Sequence, residues 1–345
     1  MVRLRKTRHE LLKLGVSVEY SDSLTADLRK FDLVHVWQSM HPDSFRQGAN
    51  ARQQEVPYVV SPIVHDFDRM GLYNSAGLPW RLLKSAVGGQ AGLRMYKAWI
   101  EFRKHANEHW QEAQKLMAGS ALLVPTSHYE AGFIESRYGV ARGSVKVVPN
   151  ALDADVFQNA KSKRFSKEHG LENFVLIVAR VELCKNHLNL VRALAGTGRE
   201  LVAIGSVKER AYFRRCRETA GRLGVPFHHV KHVKQDVVAD AMAAAAVHVL
   251  PSWTETTGQT SLQAAAAGCP VVVTVESPWQ EYFGKRITVC KPESPASIRE
   301  AIGRAENQPL SYRHSLARRM HDRFTWERAG RETLAAYRKA LGTSR

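Results

Sequence analysis

A chain of 345 residues is too long for one ordinary core and suits two domains, and a hydrophobic share of 44% gives each an interior. No run of about 18 apolar residues occurs, so no membrane-spanning helix is expected, and the basic opening MVRLRKTRHELLKLG lacks the apolar stretch of a secretion signal. The net charge of +17 comes from 20 basic against 16 acidic residues up to residue 160 and 30 against 17 beyond it, and it points to an anionic partner: a phosphorylated small molecule, an anionic membrane or nucleic acid.

In chain order, Leu4, Leu11, Leu12 and Leu14 ahead of Gly15 predict an opening helix. VSVEY (16–20), DLVHVW (32–37), VPYVVSPIV (56–64), ALLVPTS (121–127) and VKVVPN (145–150) predict strands. Residues 75–114 form a partly helical excursion rich in Arg, Lys and Trp. A doubly wound domain usually opens with a buried strand and a Gly-rich turn. This chain starts in helix, so the first sheet is expected to lack that strand, either because it is absent or because the natural start lies upstream of Met1. After a junction near 150–163 the alternation restarts. Strands are expected at 173–180, 200–206, 226–230, 247–252, 270–275 and 287–290, with helices at 188–195, 211–223, 237–246 and 260–267. Such alternation indicates parallel sheets covered on both faces. The expected architecture is α/β, two Rossmann-like domains facing a cleft. Cys184, Cys216, Cys269 and Cys290 form no CxxC, which argues for reduced thiols and against cysteine-held zinc.

Chemistry concentrates at two strand ends. Glu255 lies in the turn TETTGQ, between a strand and the helix TSLQAAAAG. A helix start at the carboxyl end of a parallel strand offers free N–H groups to phosphate. Gly258 lets the backbone approach a ligand, and the alanines let helix and sheet pack closely. A carboxylate beside phosphate would repel it, so Glu255 is expected to accept hydrogen bonds from sugar hydroxyls. At the other strand end, Arg180 and Lys185 can clamp a diphosphate and stabilise a departing one.

Metal patterns are weaker. HANEH sets His105 and His109 one helical turn apart around Glu108, but in a densely charged run that reads as a solvated helix face. His228 and His232 fall in a strand and its loop. Asp66–Asp68 and Asp153–Asp155 each spell D-x-D, a triplet that arises easily by chance. No metal and no other cofactor is expected.

Four stretches, VKVVPNALDADVF (145–157), ARVELCKNHLNLVRAL (179–194), VLPSWTETTGQTSLQAAAAGCPVVVT (249–274) and RFTWERAGRETLAAYRKAL (323–341), together resemble the retaining GT-B glycosyltransferases of family four (glycosyl transferases group 1). The resemblance implies an acceptor-side domain over 1–155, a nucleotide-sugar domain over 156–322, and a C-terminal helix over 323–345 that crosses back to the first domain. It implies that Arg180 and Lys185 bind the donor diphosphate and Glu255 the donor sugar. The backbone of Thr257, Gly258, Gln259 and Thr260 would cradle phosphate, Gly205 would pass near the nucleoside and Val233 near the base. His65, in SPIVHDF, would approach the sugar from the acceptor side. One position departs from the family pattern: Gln263 stands where a second Glu normally reads the ribose hydroxyls, and it can pair with a hydroxyl only without charge assistance.

The implied activity is retaining transfer of a sugar, a hexose above all, from a nucleotide diphosphate sugar to a glycan or lipid-linked glycan in cell-surface polysaccharide synthesis. A non-catalytic nucleotide-binding or scaffold relative is the alternative. No nucleic-acid partner is expected. The place of action is cytoplasmic, with a peripheral position on an anionic membrane suggested by residues 68–104, where Arg69, Arg81, Lys84, Arg94, Lys97, Arg103 and Lys104 interleave with Trp and Leu.

Overall fold

The computed structural model describes residues 2–75, 86–104, 107–231 and 233–342. Its chain contacts divide it into two compact units, Met1–Ala151 with Trp326–Arg345, and Leu152–Thr325.

The first unit begins with helix α1 (Val2–Lys13), then β1 (Val34–Trp37), α2 (Pro42–Gln53), β2 (Tyr58–Ser61), α3 (Asp68–Met70), α4 (Gly89–Lys104), α5 (Glu108–Ala118), β3 (Leu122–Leu123) and α6 (His128–Tyr138). The second runs α7 (Ala154–Gln158), α8 (Ser162–His169), β4 (Val175–Val178), α9 (His187–Leu194), β5 (Leu201–Ile204), α10 (Arg210–Arg222), β6 (Phe227–Val230) and α11 (Gln235–Ala244). It continues β7 (Val247–Leu250), α12 (Gln259–Ala266), β8 (Val271–Thr274), α13 (Trp279–Phe283), β9 (Thr288–Cys290), α14 (Pro295–Glu306) and α15 (Leu310–Arg323). The final helix, α16 (Trp326–Ala340), belongs to the first unit.

The first unit's sheet is parallel, in order β1-β2-β3. The chain does open in helix. The segments 16–20 and 145–150, expected as strands, are not: the first is loop, and the second makes only an isolated bridge from Val145 to Leu123. Alternation at 16–20 supplies side chains that suit a strand, but a strand also needs a neighbour to take its backbone bonds. One face of the sheet is covered by α16, against which α1 packs so closely at Gly330 that a Cβ there would stand 2.5 Å from Glu10 Cβ. Trp326, Ala329 and Ala336 of α16 bury against Val59, Leu122 and Val124. A polar thread runs through the same packing. His35 on β1 hydrogen-bonds Tyr337 of α16 through Nδ1 at 2.7 Å and Ser61 of β2 through Nε2 at 2.9 Å. Ser61 gives its own proton to the Val124 carbonyl. The imidazole therefore donates from Nε2 and accepts at Nδ1, which is its neutral form.

In the second unit all six strands are parallel, in order β6-β5-β4-β7-β8-β9. The chain builds outward from β4 to β6, then returns to the other side of β4 with β7. The carboxyl ends of β4 and β7 thus lie side by side where the direction of winding reverses, the place where open α/β sheets bind ligands. Strands β4, β5, β7 and β8 are buried throughout, as their apolar runs, interrupted only by His248 and Thr274, require. Ala264, Ala265 and Ala266 are buried in α12, where small side chains bring the helix close to the sheet. The four cysteines are free.

Three histidines, His35, His187 and His248, are held near pKa 3, chiefly by burial. Arg3 adds to this at His35, and Lys185 then His229 at His187. Unfolded, each titrates near 6.5. Between about pH 6.5 and 3 the unfolded chain binds more protons than the folded one, so the neutral rings stabilise the fold fully above that window. Their contribution is lost as pH falls through it, at up to about 1.4 kcal/mol per pH unit for each ring. Replacing His248 by Leu should reduce the slope of unfolding free energy against pH between 6 and 4 by about one proton's worth; an unchanged slope in urea titrations would mean that the folded chain protonates His248.

Candidate functional site

Two loops meet at the carboxyl ends of β4 and β7. The first, residues 179–186, carries Arg180 and Lys185; the second, residues 251–258, carries Glu255. They are stitched at three points. Trp253 N–H donates to the Cys184 carbonyl at 2.9 Å. Asn186 sits in the left-handed region at φ 61° and gives its amide to the carbonyls of Pro251 at 2.9 Å and Pro292 at 2.7 Å. The third is an ion pair, Lys185 Nζ to Glu255 Oε1 at 2.6 Å.

The pair has little access to water: the side chains are 17% and 9% exposed. Burial alone would draw the Lys185 ammonium down, but Glu255, then Cys184 and Glu182, outweigh it and leave the pKa above its ordinary value. Ser252 donates a second hydrogen bond to the same Oε1 at 2.7 Å, and Glu255 N–H reaches the Glu276 carbonyl at 2.9 Å. The result is a fixed carboxylate and a fixed cation.

Arg180 differs from Lys185. It is exposed and pairs with Glu182 at 2.9 Å. Glu182 is buried, and its other oxygen takes Lys208 at 3.1 Å. Lys208 follows β5, so strand ends from both neighbours of β4's loop contribute charge.

Gly205, at the end of β5, has φ 149°, and a Cβ there would lie 2.2 Å from the Ala179 carbonyl oxygen. Glycine is thus required by backbone packing against the Arg180 loop, whatever ligand is near. The Gly205 carbonyl accepts from His229 Nε2 at 2.8 Å. Gly258 caps α12 at φ 72°, with no atom closer than 3.8 Å to a would-be Cβ. The demand here is conformational, since left-handed backbone favours glycine. Thr257 is buried; Gln259 and Thr260, half-buried, form the first turn of α12, where backbone N–H groups have no partner within the helix. Gln263 lies one turn further on, also half-buried, and Val233, before α11, packs against the core.

His65 belongs to the first unit, four residues past β2, half-buried and stacked on Phe67 with centroids 5.5 Å apart. Its loop is anchored by Glu130 on α6. One carboxylate oxygen accepts the Val64 N–H at 2.9 Å; the other accepts the Thr126 N–H and hydroxyl, both at 2.8 Å. Glu130 thereby ties the loops after β2 and β3 together. Burial raises its pKa, against those hydrogen bonds.

Of the metal patterns, Asp66 pairs with Lys97 at 2.8 Å and Asp68 with Arg137, while His228 faces Glu200 at 3.1 Å. His105 and His232 lie outside the described residues. Among the described residues no cluster of three or more metal-ligating side chains occurs.

Asn186, Ser252, Glu182, Lys208 and Glu130 were not legible from motif spacing. Asn186 alone left a trace, as an Asn between a strand loop and a helix start, where left-handed backbone is tolerated.

The segment 68–104 splits. Leu78, Trp80, Arg81, Leu82, Leu83 and Lys84 lie outside the described residues. On α4, Tyr96 is buried and Trp99 half-buried, whereas Met95 is exposed and Phe102 is 84% exposed, between Arg94 and Arg103. Among the described residues no helix is long and apolar enough to cross a membrane.

Residues 158–323 match the family described as glycosyl transferases group 1. A D-inositol 3-phosphate glycosyltransferase from Paenarthrobacter aurescens is 25% identical over 328 residues, 84% of this chain and 80% of that protein. A GDP-mannose-dependent alpha-(1-6)-phosphatidylinositol dimannoside mannosyltransferase from Mycobacterium tuberculosis is 30% identical over 142 residues, 41% of this chain and 36% of that protein. Among solved structures, Anabaena HepE in complex with UDP and glucose superposes with a TM-score of 0.67 at 16% identity, over 89% of this chain and 79% of that one.

The buried pair makes a stability prediction. Lys185→Met leaves Glu255 without its counter-charge and should cost about 3 kcal/mol or more, whereas Lys185→Met with Glu255→Leu should recover much of that. Additive losses in a double-mutant cycle by urea unfolding would show that the two side chains are not coupled.

Proposed function

With residues 158–323 belonging to the glycosyl transferases group 1 and the chain an enzyme of the GT-B glycosyltransferases, we propose that it is a retaining transferase of family four. In this reading it moves a hexose from a nucleotide diphosphate sugar to a glycan or lipid-linked glycan acceptor. The observation that carries this is the fixed cation–carboxylate pair, Lys185 and Glu255, set at the reversal point of the sheet beside an exposed Arg180.

The division of labour follows from charge. The donor diphosphate needs cations and N–H groups. Arg180, Lys185 and the first turn of α12 supply them, and they do so without a metal. Glu255 accepts hydroxyls of the sugar and, joined to Lys185, sets the distance between sugar and diphosphate. Backbone near Gly205 and Val233 holds the nucleoside, and Gln263 accepts a ribose hydroxyl with less strength than a carboxylate would. His65 serves the acceptor side.

As the anomeric C–O bond to the diphosphate breaks, negative charge grows on the leaving oxygen, where Lys185 and Arg180 hold it. The acceptor oxygen bonds to the anomeric carbon on the same face. Its proton passes to the departing phosphate, so no enzyme nucleophile is required. Inositol phosphate and phosphatidylinositol mannoside appear in the names of the relatives, which supports a phosphorylated or lipid-linked acceptor.

With UDP-sugars and GDP-sugars screened as donors, Arg180→Ala should lower kcat by about tenfold or more and leave nucleotide affinity within a few-fold, because the charge it meets develops in the transition state. A change confined to KM would reduce Arg180 to a binding residue, and nucleotide binding with no turnover in the wild type would favour the scaffold alternative.

A peripheral membrane position rests on the exposed Phe102 and Met95 flanked by Arg94 and Arg103, a combination suited to an anionic bilayer surface. Co-sedimentation with anionic vesicles should be salt-sensitive and should fall several-fold in Arg94→Glu/Phe102→Ser/Arg103→Glu. Equal binding to neutral vesicles, or none to either, would return the acceptor to solution.

A further inference from the structure

Away from the strand ends, the second unit carries an open, solvent-facing cavity of about 380 Å³ along α15. Arg318, Arg319 and Arg323 line it with a single carboxylate, Asp322; Phe283, Tyr312 and Leu316 supply its apolar wall. Arg319 is fixed in place: Nε donates to the Tyr282 carbonyl at 2.8 Å and Nη2 to the Glu281 carbonyl at 3.0 Å, across the last turn of α13. Arg318, Arg323 and Asp322 enter no ion pair among the described residues. Burial, and then the neighbouring Arg323, hold the Arg319 guanidinium below its ordinary pKa. A fourth guanidinium, Arg286, stands 5.0 Å from the Tyr312 ring centroid. The Tyr312 hydroxyl is buried and has no hydrogen-bond partner among the described residues.

Three arginines gathered around one carboxylate carry an excess of positive charge, moderated by the exposure of Arg318 and Arg323, and a buried hydroxyl without a partner costs further free energy. An anion answers both. Guanidinium forks match phosphate oxygens in shape and charge, and the volume falls in the range of small-molecule sites. We propose that this cavity is a second ligand site, built from residues other than the Lys185–Glu255 group, and that it binds a small molecule carrying a phosphate group. The arginines hold the phosphate, Tyr312 shifts on binding to bring its enclosed hydroxyl onto it, and Phe283 and Leu316 cover the apolar part of the ligand. Because α15 packs along α12, whose first turn belongs to the candidate donor site, occupancy here is placed to influence that helix.

Calorimetric titration of the full chain with inorganic pyrophosphate tests this. The expected result is a saturable site that persists in Lys185→Ala, weakens at least tenfold in Arg318→Glu/Arg323→Glu, and weakens about threefold in Tyr312→Phe. The last variant keeps the ring and the charges, so it remains informative if the double charge reversal fails to fold. Loss of all binding in a Lys185→Ala protein that circular dichroism shows to be folded, or undiminished affinity in both cavity variants, would overturn the proposal. Vesicles containing phosphatidic acid distinguish the source of the phosphate: retention that pyrophosphate displaces and that the cavity variants lose assigns a lipid headgroup, and pyrophosphate binding without vesicle retention assigns a free metabolite. Neither kind of binding would also overturn it. Sugar transfer is read separately, so the donor-site reading stands or falls on its own.

Discussion

Lys185 and Glu255 hold each other in a place with little water, and the proposed donor site of the second unit depends on that pairing. A cation and a carboxylate so enclosed must be placed by rigid surroundings, and the surroundings are the ends of two adjacent parallel strands. Asn186 clamps one loop to the other by its amide, Ser252 steadies the carboxylate, and Glu182 restrains the neighbouring Arg180. Removing either member of the pair would leave a charge that the site could neither hydrate nor neutralise. In the proposed function the pair therefore links stability to activity. The same contact that keeps two loops together fixes the separation between a cation and a carboxylate, the groups proposed to meet phosphate and sugar hydroxyl.

The second unit was legible at the level of elements. Strands β4 to β9 lie within the expected segments, and four helices differ by one or two residues at their ends. Short, largely apolar and β-branched runs bounded by glycine, proline or charge leave little choice of conformation. The first unit was less legible. Residues 16–20 alternate as a strand should, but pairing is a non-local property that no local pattern guarantees. At the site, Arg180, Lys185 and Glu255 stood out because charged residues at strand ends are unusual. Their partners did not. Ser252, Glu182 and Lys208 matter through contacts made across gaps in sequence, and a serine or glutamate in a loop has nothing local to mark it. Gly205 was read as a ligand-approach residue, while its φ and the nearby Ala179 carbonyl supply a reason internal to the backbone.

In the first unit, Glu130 plays a part comparable to that of Asn186. A serine N-cap three residues before a glutamate is a familiar helix start, and Ser127 does accept the Glu130 N–H at 3.1 Å. The glutamate does not close the usual box. It reaches outward to Thr126 and Val64 and so binds the loop that carries His65. A buried carboxylate spent on backbone N–H groups gives that loop a fixed course, which a half-buried histidine needs if it is to present one edge consistently.

Helix α16 gives the first unit an unusual history. Its core includes Trp326, Ala329 and Ala336, which pack on Val59, Leu122 and Val124, residues made about 200 to 280 positions earlier. On the ribosome, the first unit must therefore wait with that face of its sheet uncovered while the whole second unit is synthesised. The second unit is continuous in sequence and can fold as soon as it emerges. The order of folding is thus expected to invert the order of the chain, with the later domain consolidating first and the earlier one completed only by the last helix. Chaperone protection of the waiting sheet would matter most during that interval.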